Sequence, residues 1–181
     1  MKIFIGASAR NNIPEEYIKD GEKIAKYIVQ NNDDIIICAD ERGIVGKIYS
    51  EAKKNNNKII LTLPKIYEKY AININEKIDR ITETINERTQ ISINESDICL
   101  FLPGGIGTMY EILTAIETKR AGEHNKPILI LNSNGYYDKL IDMINKAEKE
   151  KFLNKEDKEV YCIADNVEHA IKYINNIRMK G

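Results

Sequence analysis

Short apolar runs alternate along the chain with longer segments in which apolar residues recur every three or four positions. The runs are typical of strands buried on both faces of a sheet, and they cover residues 2–5, 35–38, 59–63, 98–102, 128–131 and 160–163. Strands that alternate with helices pair in parallel through right-handed crossovers. We therefore expect an α/β fold with a doubly wound, mostly parallel sheet of six to seven strands, helices on both faces, and a single domain over residues 1–181.

The apolar spacing also predicts where the helices lie. The expected helices cover residues 17–28, 43–54, 75–94, 109–116, 136–144 and 165–177. The helix over residues 75–94 is the longest and has Arg88 in its middle, whereas residues 65–75 fit a short helix or a loop equally well. Asp165 is of a residue type that commonly caps a helix, so we expect it to begin the last one.

A glycine-rich segment, Pro-Gly-Gly-Ile-Gly-Thr-Met-Tyr-Glu at residues 103–111, joins the fourth predicted strand to a helix. Glycines let the backbone approach a ligand closely, and the free N–H groups and positive dipole of the following helix favour a phosphate. The segment is neither a P-loop nor the full dinucleotide fingerprint. In a second interpretation, Thr108 caps the helix and Glu111 returns a hydrogen bond to it, as in a capping box. Local sequence leaves both open.

Composition and charge argue against several classes of function. The formal net charge of the 181 residues is −1, so we expect no nucleic-acid partner, and the apolar runs are too short for a membrane span. The three cysteines match no zinc spacing and no His, Asp and Glu cluster resembles a metal site, so we expect no metal and no cofactor. Isolated cysteines and a first strand directly after Met1 favour a cytoplasmic protein without a signal peptide.

The glycine-rich segment and several other motifs resemble the LOG family of Rossmann-like proteins, the cytokinin riboside 5'-monophosphate phosphoribohydrolases and their bacterial relatives. Residues 103–111 match the family signature Pro-Gly-Gly-x-Gly-Thr-x-x-Glu in full, and Arg88 matches the arginine of the preceding helix. Further matches are Ser96-Asp97, His124-Asn125-Lys126-Pro127 and residues 132–138, with weaker ones at Gly6-Ala7-Ser8 and Gly43-Ile44-Val45-Gly46. The chain departs from the family at Thr89, where the family has lysine, and at Ala39-Asp40-Glu41, where it has glycines.

The resemblance implies roles for individual residues. Arg88 and Glu111 would be the catalytic pair, and the residues that would hold the phosphate are Gly104, Gly105, Gly107 and Thr108. The nucleotide-binding positions implied less directly are Gly6, Ser8, Asp40, Gly43 and Gly46. The resemblance also implies a homodimer and a nucleoside 5'-monophosphate substrate. Two interpretations of Asp40 and Glu41 stay open: they cap the helix that starts near Gly43, or one of them recognises a ribose hydroxyl or an amino group of the base.

The reaction that the resemblance implies is hydrolysis of the N-glycosidic bond, which releases the free base and ribose 5-phosphate. Positive charge builds on the sugar as such a bond breaks, and carboxylates oppose it in glycoside hydrolysis, so Glu111 would act as nucleophile or as base. Two other functions stay open: a non-catalytic nucleotide-binding sensor or carrier, and a base-exchange enzyme resembling the nucleoside deoxyribosyltransferases. The departures at Thr89 and Asp40 favour the carrier, whereas the presence of both Arg88 and Glu111 favours hydrolysis.

Overall fold

A computed structural model describes residues 1–70 and 77–179 of the chain. The strands in these residues are β1 Lys2–Gly6, β2 Asp34–Cys38, β3 Ile59–Pro64, β4 Arg80–Thr82, β5 Ile98–Phe101, β6 Ile128–Leu131 and β7 Cys162–Ala164. The α-helices are α1 Glu15–Gln30, α2 Gly43–Lys54, α3 Ile85–Glu95, α4 Ile106–Arg120, α5 Asp138–Lys149 and α6 Val167–Arg178. A 3₁₀ helix covers Lys65–Tyr70, and residues 71–75 of that ambiguous segment lie outside the described part. Within the described residues, no helix has the length and apolar character needed to cross a bilayer.

The strands form one sheet in the order β4-β3-β2-β1-β5-β6-β7. Each of the six neighbouring pairs is parallel. The chain winds outward from β1 to β4 and then returns to the other side of β1, where Gly6 pairs with Phe101 of β5. The predicted Rossmann-like, doubly wound fold is therefore confirmed. In such a sheet, ligands bind beyond the carboxyl ends of the strands at the point where the winding reverses, which here lies between β1 and β5.

Side chains that alternate along the strands fill two cores, one on each face of the sheet. Ile3 and Ile5 of β1 pack with α1, α2 and α6, whereas Phe4 packs on the opposite face with α3 and α4. On that second face the rings of Phe4 and Phe101 meet edge to face, with 5.7 Å between their centroids. Helices thus cover both faces, as predicted, and the buried strands hold the loops at their carboxyl ends in place.

The predicted long helix over residues 75–94 is wrong in its first part. Arg80–Thr82 forms β4 and pairs with β3 at the edge of the sheet, while residues 75 and 76 lie outside the described part. The Thr84 hydroxyl accepts a 3.0 Å hydrogen bond from a backbone N–H in the first turn of α3, and this cap sets the start of the helix. Arg88 therefore lies near the beginning of its helix and not in the middle.

The last strand and the cap of the last helix also differ from the prediction. The strand covers Cys162–Ala164, because its register is set by pairing with β6, where Ala164 lies opposite Leu131. Asn166 and not Asp165 caps α6, since its side-chain oxygen accepts the N–H of His169 at 2.9 Å. Asn166 has the extended backbone of an N-cap residue, so the helix begins one residue later than expected.

Candidate functional site

The glycine-rich loop leads into a helix start that no side chain caps. Gly105 is the N-cap residue of α4, and no side-chain oxygen accepts a hydrogen bond there. A Cβ on Gly105 or Gly107 would meet no protein atom within 4 Å, so internal packing does not demand glycine at either position. N–H groups at the positive end of a 15-residue helix, with no side chain on Gly105 or Gly107 to cover them, are suited to binding an anion.

The capping-box interpretation of this loop is wrong. Because α4 begins at Ile106, Thr108 lies within the first turn of the helix and not before it. Its hydroxyl lies against Gly104, where a Cβ would overlap it. The Glu111 carboxylate does not return to the helix start but forms an ion pair with Arg88 of α3. The glutamate is therefore positioned for an interaction between two helices.

Arg88 and Glu111 form a buried ion pair. Only 6% of Arg88 and 5% of Glu111 is exposed. Nη1 of the arginine contacts Oε1 of the glutamate. The Nε atom of Arg88 is also buried and has no hydrogen-bond partner in the described residues. Burial raises the pKa of Glu111 above its ordinary value, and the charge of Arg88 opposes that rise. Burial acts to lower the pKa of Arg88, but the carboxylate outweighs it and the pKa is raised. The arginine stays charged, and the ionisation of the glutamate depends on it.

Gly6, at the end of β1, makes room for this pair. A Cβ on Gly6 would overlap Oε2 of Glu111 and an aromatic ring of β5. Two residues further on, the N–H of Ser8 donates to the carbonyl of Pro103 at 3.1 Å, and the Ser8 carbonyl accepts the N–H of Ile44 at 2.9 Å. These bonds tie together the loops after β1 and β5 and the start of α2. Gly6 and Ser8 therefore both lie at the site, and their part in nucleotide binding stays a prediction.

The loops surround a cleft of about 650 Å³, a volume typical of small-molecule sites. The predicted site residues that line it are Gly6, Ser8, Asp40, Arg88, Gly105, Gly107, Thr108 and Glu111. Gly43, Gly46 and Gly104 are not among the lining residues. A Cβ on Gly43 or Gly46 would overlap backbone atoms of the adjacent loops, and Gly43 has a φ of 59°, so these two glycines are required by the packing of the site's frame.

Asp40 is held in the cleft wall by Arg42. The guanidinium donates to both carboxylate oxygens, Nε to Oδ1 at 2.9 Å and Nη2 to Oδ2 at 2.7 Å, and the backbone N–H of Arg42 adds a bond to Oδ1 at 2.9 Å. The N–H of Gly43, at the start of α2, instead donates to the side-chain oxygen of Asn11 at 3.0 Å, and Glu41 is exposed. The interpretation that Asp40 and Glu41 cap α2 is therefore wrong.

Several residues of the cleft were not predicted from the sequence; they are Arg10, Cys38, Arg42, Leu63, Pro64 and Tyr67. All of them end or follow β1, β2 or β3, so their position after a buried strand was a signal that could have found them. Burial raises the pKa of the Cys38 thiol to about 12, so this thiol stays protonated near neutral pH and is a poor nucleophile. Over the described ranges, no group of three or more His, Cys, Asp or Glu side chains could hold a metal ion.

Known proteins share this sequence pattern over most of the chain. The family model described as "Possible lysine decarboxylase" matches residues 45–174. Cytokinin riboside 5'-monophosphate phosphoribohydrolase LOG1 of Arabidopsis thaliana is 26% identical over 176 residues, which cover 96% of this chain and 81% of the relative. A probable cytokinin riboside 5'-monophosphate phosphoribohydrolase of the same organism, LOG6, is 29% identical and aligns over 83% of this chain and 75% of its own length.

Solved structures share the fold. The Moco carrier protein from Chlamydomonas reinhardtii superposes with a TM-score of 0.69 at 19% identity, covering 99% of this chain and 98% of the other. The molybdenum cofactor binding protein from Rippkaea orientalis gives 0.69 at 20% identity, covering 97% and 96%. At these identities the likeness concerns the fold alone. The family model and the phosphoribohydrolase relatives together show that this chain belongs to the LOG family, whose sequence model carries the description possible lysine decarboxylase.

Proposed function

We propose that the protein hydrolyses the N-glycosidic bond of a nucleoside 5'-monophosphate, with release of the free base and ribose 5-phosphate. The observation that carries the proposal is the buried Arg88–Glu111 pair, which lines the same cleft as the uncapped start of α4. An anion site and a buried carboxylate side by side are what a phosphorylated sugar requires. The relatives named as phosphoribohydrolases support the same reaction class.

The phosphate would bind at the start of α4. The N–H groups of the first turn, at Ile106, Gly107 and Thr108, lie where a helix has no internal acceptors for them, and the helix dipole adds positive potential. Glu111 lies on the same helix, between one and two turns further along. A substrate anchored by its phosphate would therefore present its sugar to this carboxylate.

Glu111 would then act on the ribose as the bond to the base breaks. A carboxylate stabilises positive charge on the sugar most strongly in a site from which water is excluded. Burial favours the neutral form of Glu111, whereas the fixed charge of Arg88 favours the carboxylate. In this proposal Arg88 keeps Glu111 ionised and oriented while the ribose gains charge.

Base release tests the proposal directly. The protein is incubated with AMP, GMP, CMP, UMP, their deoxy forms and isopentenyl-AMP, and the free base is followed by chromatography. Glu111→Gln keeps the shape of the side chain and removes its charge, and should lower base release by about 100-fold or more. Glu117→Gln makes the same change on the exposed side of α4 and should keep full activity. No release from any nucleotide, or full release by Glu111→Gln, would contradict the proposal.

A carrier or sensor that binds a nucleotide without turnover is the second candidate. The observation that favours it is the closed contact between Arg88 and Glu111, which already engages one oxygen of the carboxylate. Thr89 does not favour it, since its hydroxyl donates to the Ile85 carbonyl within α3 and Thr89 does not line the cleft. Binding of AMP in calorimetry without base release would support the carrier. Base exchange is tested by adding a second free base to the same reactions and searching for a swapped nucleotide.

We also propose that the protein acts as a homodimer in the cytoplasm. Two apolar side chains of α4, Ile106 and Leu113, are 80% and 47% exposed, and a second copy that packed on them would remove them from water. Light scattering coupled to size exclusion tests the dimer, and a monomer at the concentrations used for activity would contradict it.

The cytoplasmic location is supported by the three cysteines. All of them are free thiols, as is usual in a reducing compartment.

A further inference from the structure

The strand order arranges the cleft as a series of subsites. The series begins with the uncapped helix start after β5, continues with Glu111 against Gly6 at the end of β1, and then reaches the residues at the ends of β2 and β3. Those last residues are Cys38, Ala39, Asp40, Arg42, Leu63, Pro64 and Tyr67. Neighbouring strands lie about 4.8 Å apart, so the three steps from β5 to β3 span roughly 14 Å.

A nucleotide has the same linear order of phosphate, sugar and base. If the phosphate lies at the start of α4 and the sugar at Glu111, the base falls over the ends of β2 and β3. Leu63, Pro64 and the ring of Tyr67 supply apolar surface there, which suits the faces of a flat base. Apart from Glu111, Asp40 is the one acidic residue among the described residues that line the cleft. Its carboxylate therefore supplies a negatively charged hydrogen-bond acceptor at this end of the cleft.

Arg42 leaves Asp40 with a limited capacity to accept further hydrogen bonds. A carboxylate offers about four acceptor sites, two on each oxygen. Oδ1 already accepts two N–H groups and Oδ2 accepts one, all of them from Arg42, so one site remains, on Oδ2. The two parallel N–H groups of a guanine edge would need a free site on each oxygen. Asp40 is thus built to accept one additional donor.

We propose that Asp40, positioned by Arg42, recognises the exocyclic amino group of the base, so that the substrate carries adenine or cytosine in preference to hypoxanthine or uracil. An amino group donates its N–H to the remaining site on Oδ2. A carbonyl at the same ring position would set a second acceptor against the carboxylate, so that neither the carbonyl nor the remaining site on Oδ2 would gain a donor. The inference rests on the proposed function, which places the phosphate and the sugar. Asp40 then determines specificity, and Arg42 is a positioning residue.

Matched pairs of nucleotides test the inference. Initial rates of base release are measured for AMP against IMP and for CMP against UMP, and purine riboside 5'-monophosphate, which has no substituent at the amino position, separates a lost hydrogen bond from a clash. In at least one pair kcat/KM should be about 10-fold or more higher for the amino base, and the unsubstituted purine should fall below AMP. Asp40→Asn should bring the ratio toward one, because its amide can donate to a carbonyl. Arg42→Lys, which keeps the charge but loses the fork, should lower the same ratio.

Glu41→Gln is the matched control, because this exposed neighbour does not line the cleft and should leave the ratio unchanged. Thermal unfolding confirms that each variant is folded. Equal kcat/KM within both pairs for the wild type, or an unchanged ratio in folded Asp40→Asn, overturns the inference and leaves the hydrolase standing. If no nucleotide releases its base, the hydrolase fails, and Kd values from calorimetry replace rates. Tighter binding of AMP or CMP by about 10-fold then supports the inference, whereas equal affinities or no binding overturn it.

Discussion

Replacing Arg88 with methionine would leave the Glu111 carboxylate buried without its partner. Methionine keeps an unbranched side chain of similar reach and removes the guanidinium. Loss of one partner of a buried ion pair costs about 3–5 kcal/mol, but a buried glutamate can instead take up a proton. With an unfolded-state pKa of about 4.3 and about 1.36 kcal/mol per pH unit, that proton costs about 3.7 kcal/mol at pH 7. We therefore expect Arg88→Met to lower the free energy of unfolding by at most about 4 kcal/mol at pH 7.

The size of this loss should depend on pH in a defined direction. In the variant, burial raises the folded-state pKa of Glu111 and no arginine opposes the rise. The folded protein then holds a proton that the unfolded chain releases above about pH 4.3, so the stability of the variant relative to the wild type falls as the pH rises. The loss should therefore grow with pH, up to at most about 1 kcal/mol at pH 5 and at most about 4 kcal/mol at pH 7.

Urea unfolding followed by circular dichroism at both pH values gives the free energies by linear extrapolation. The control, Arg80→Met, removes a more exposed arginine whose Nε lies 2.8 Å from Glu95, and should cost less than about 1 kcal/mol at either pH. Adding Glu111→Gln to Arg88→Met should recover part of the loss at pH 7, because glutamine is neutral in the folded and the unfolded state and folding no longer requires the uptake of a proton. The reasoning that Arg88 holds Glu111 ionised would be refuted if Arg88→Met lowered the free energy of unfolding equally at pH 5 and pH 7. It would also be refuted if the loss at pH 7 were no larger than that of Arg80→Met.

Two further predictions concern glycines and a histidine. Gly6→Ala should lower the free energy of unfolding by about 1–3 kcal/mol and base release with it, because the new Cβ overlaps the Glu111 carboxylate. Gly105→Ala has no protein atom within 4 Å of its Cβ and should change stability by less than about 0.5 kcal/mol, yet weaken AMP binding in calorimetry; equal stabilities of the two variants would contradict the packing argument. Burial lowers the pKa of His124, whose Nδ1 accepts the N–H of Lys126 at 3.1 Å. This contribution to stability is present above the unfolded-state pKa of about 6.5 and is lost as the pH falls through the folded-state pKa. The free energy of unfolding should therefore fall more steeply between pH 7.5 and pH 5 for the wild type than for His124→Gln. Parallel plots of the free energy of unfolding against pH would exclude the effect.

The parallel fold could be predicted because its signal is local and repeated. Strands buried on both faces appear as uninterrupted apolar runs, as at residues 35–38, and the helices between them keep a spacing of three to four residues. β4 was missed for the opposite reason. It is a three-residue edge strand in which Arg80 and Ile81 are exposed, and the isoleucines around it fit a helical spacing. Only its pairing with β3 distinguishes it from the start of α3.

The sequence predicts the position of the candidate site where the residues concerned are contiguous along the chain. Residues 103–111, between a strand and a helix, indicate a phosphate loop, and the family resemblance points to Arg88 and Glu111, whose roles stay predictions. The sequence could not show that Glu111 contacts Arg88 and does not cap its own helix, or that Asp40 lines the cleft while Gly43 and Gly46 lie behind it. Those outcomes depend on which strands become neighbours and which way a side chain turns. Both are settled by packing between elements distant in sequence, since the local pattern is compatible with either orientation.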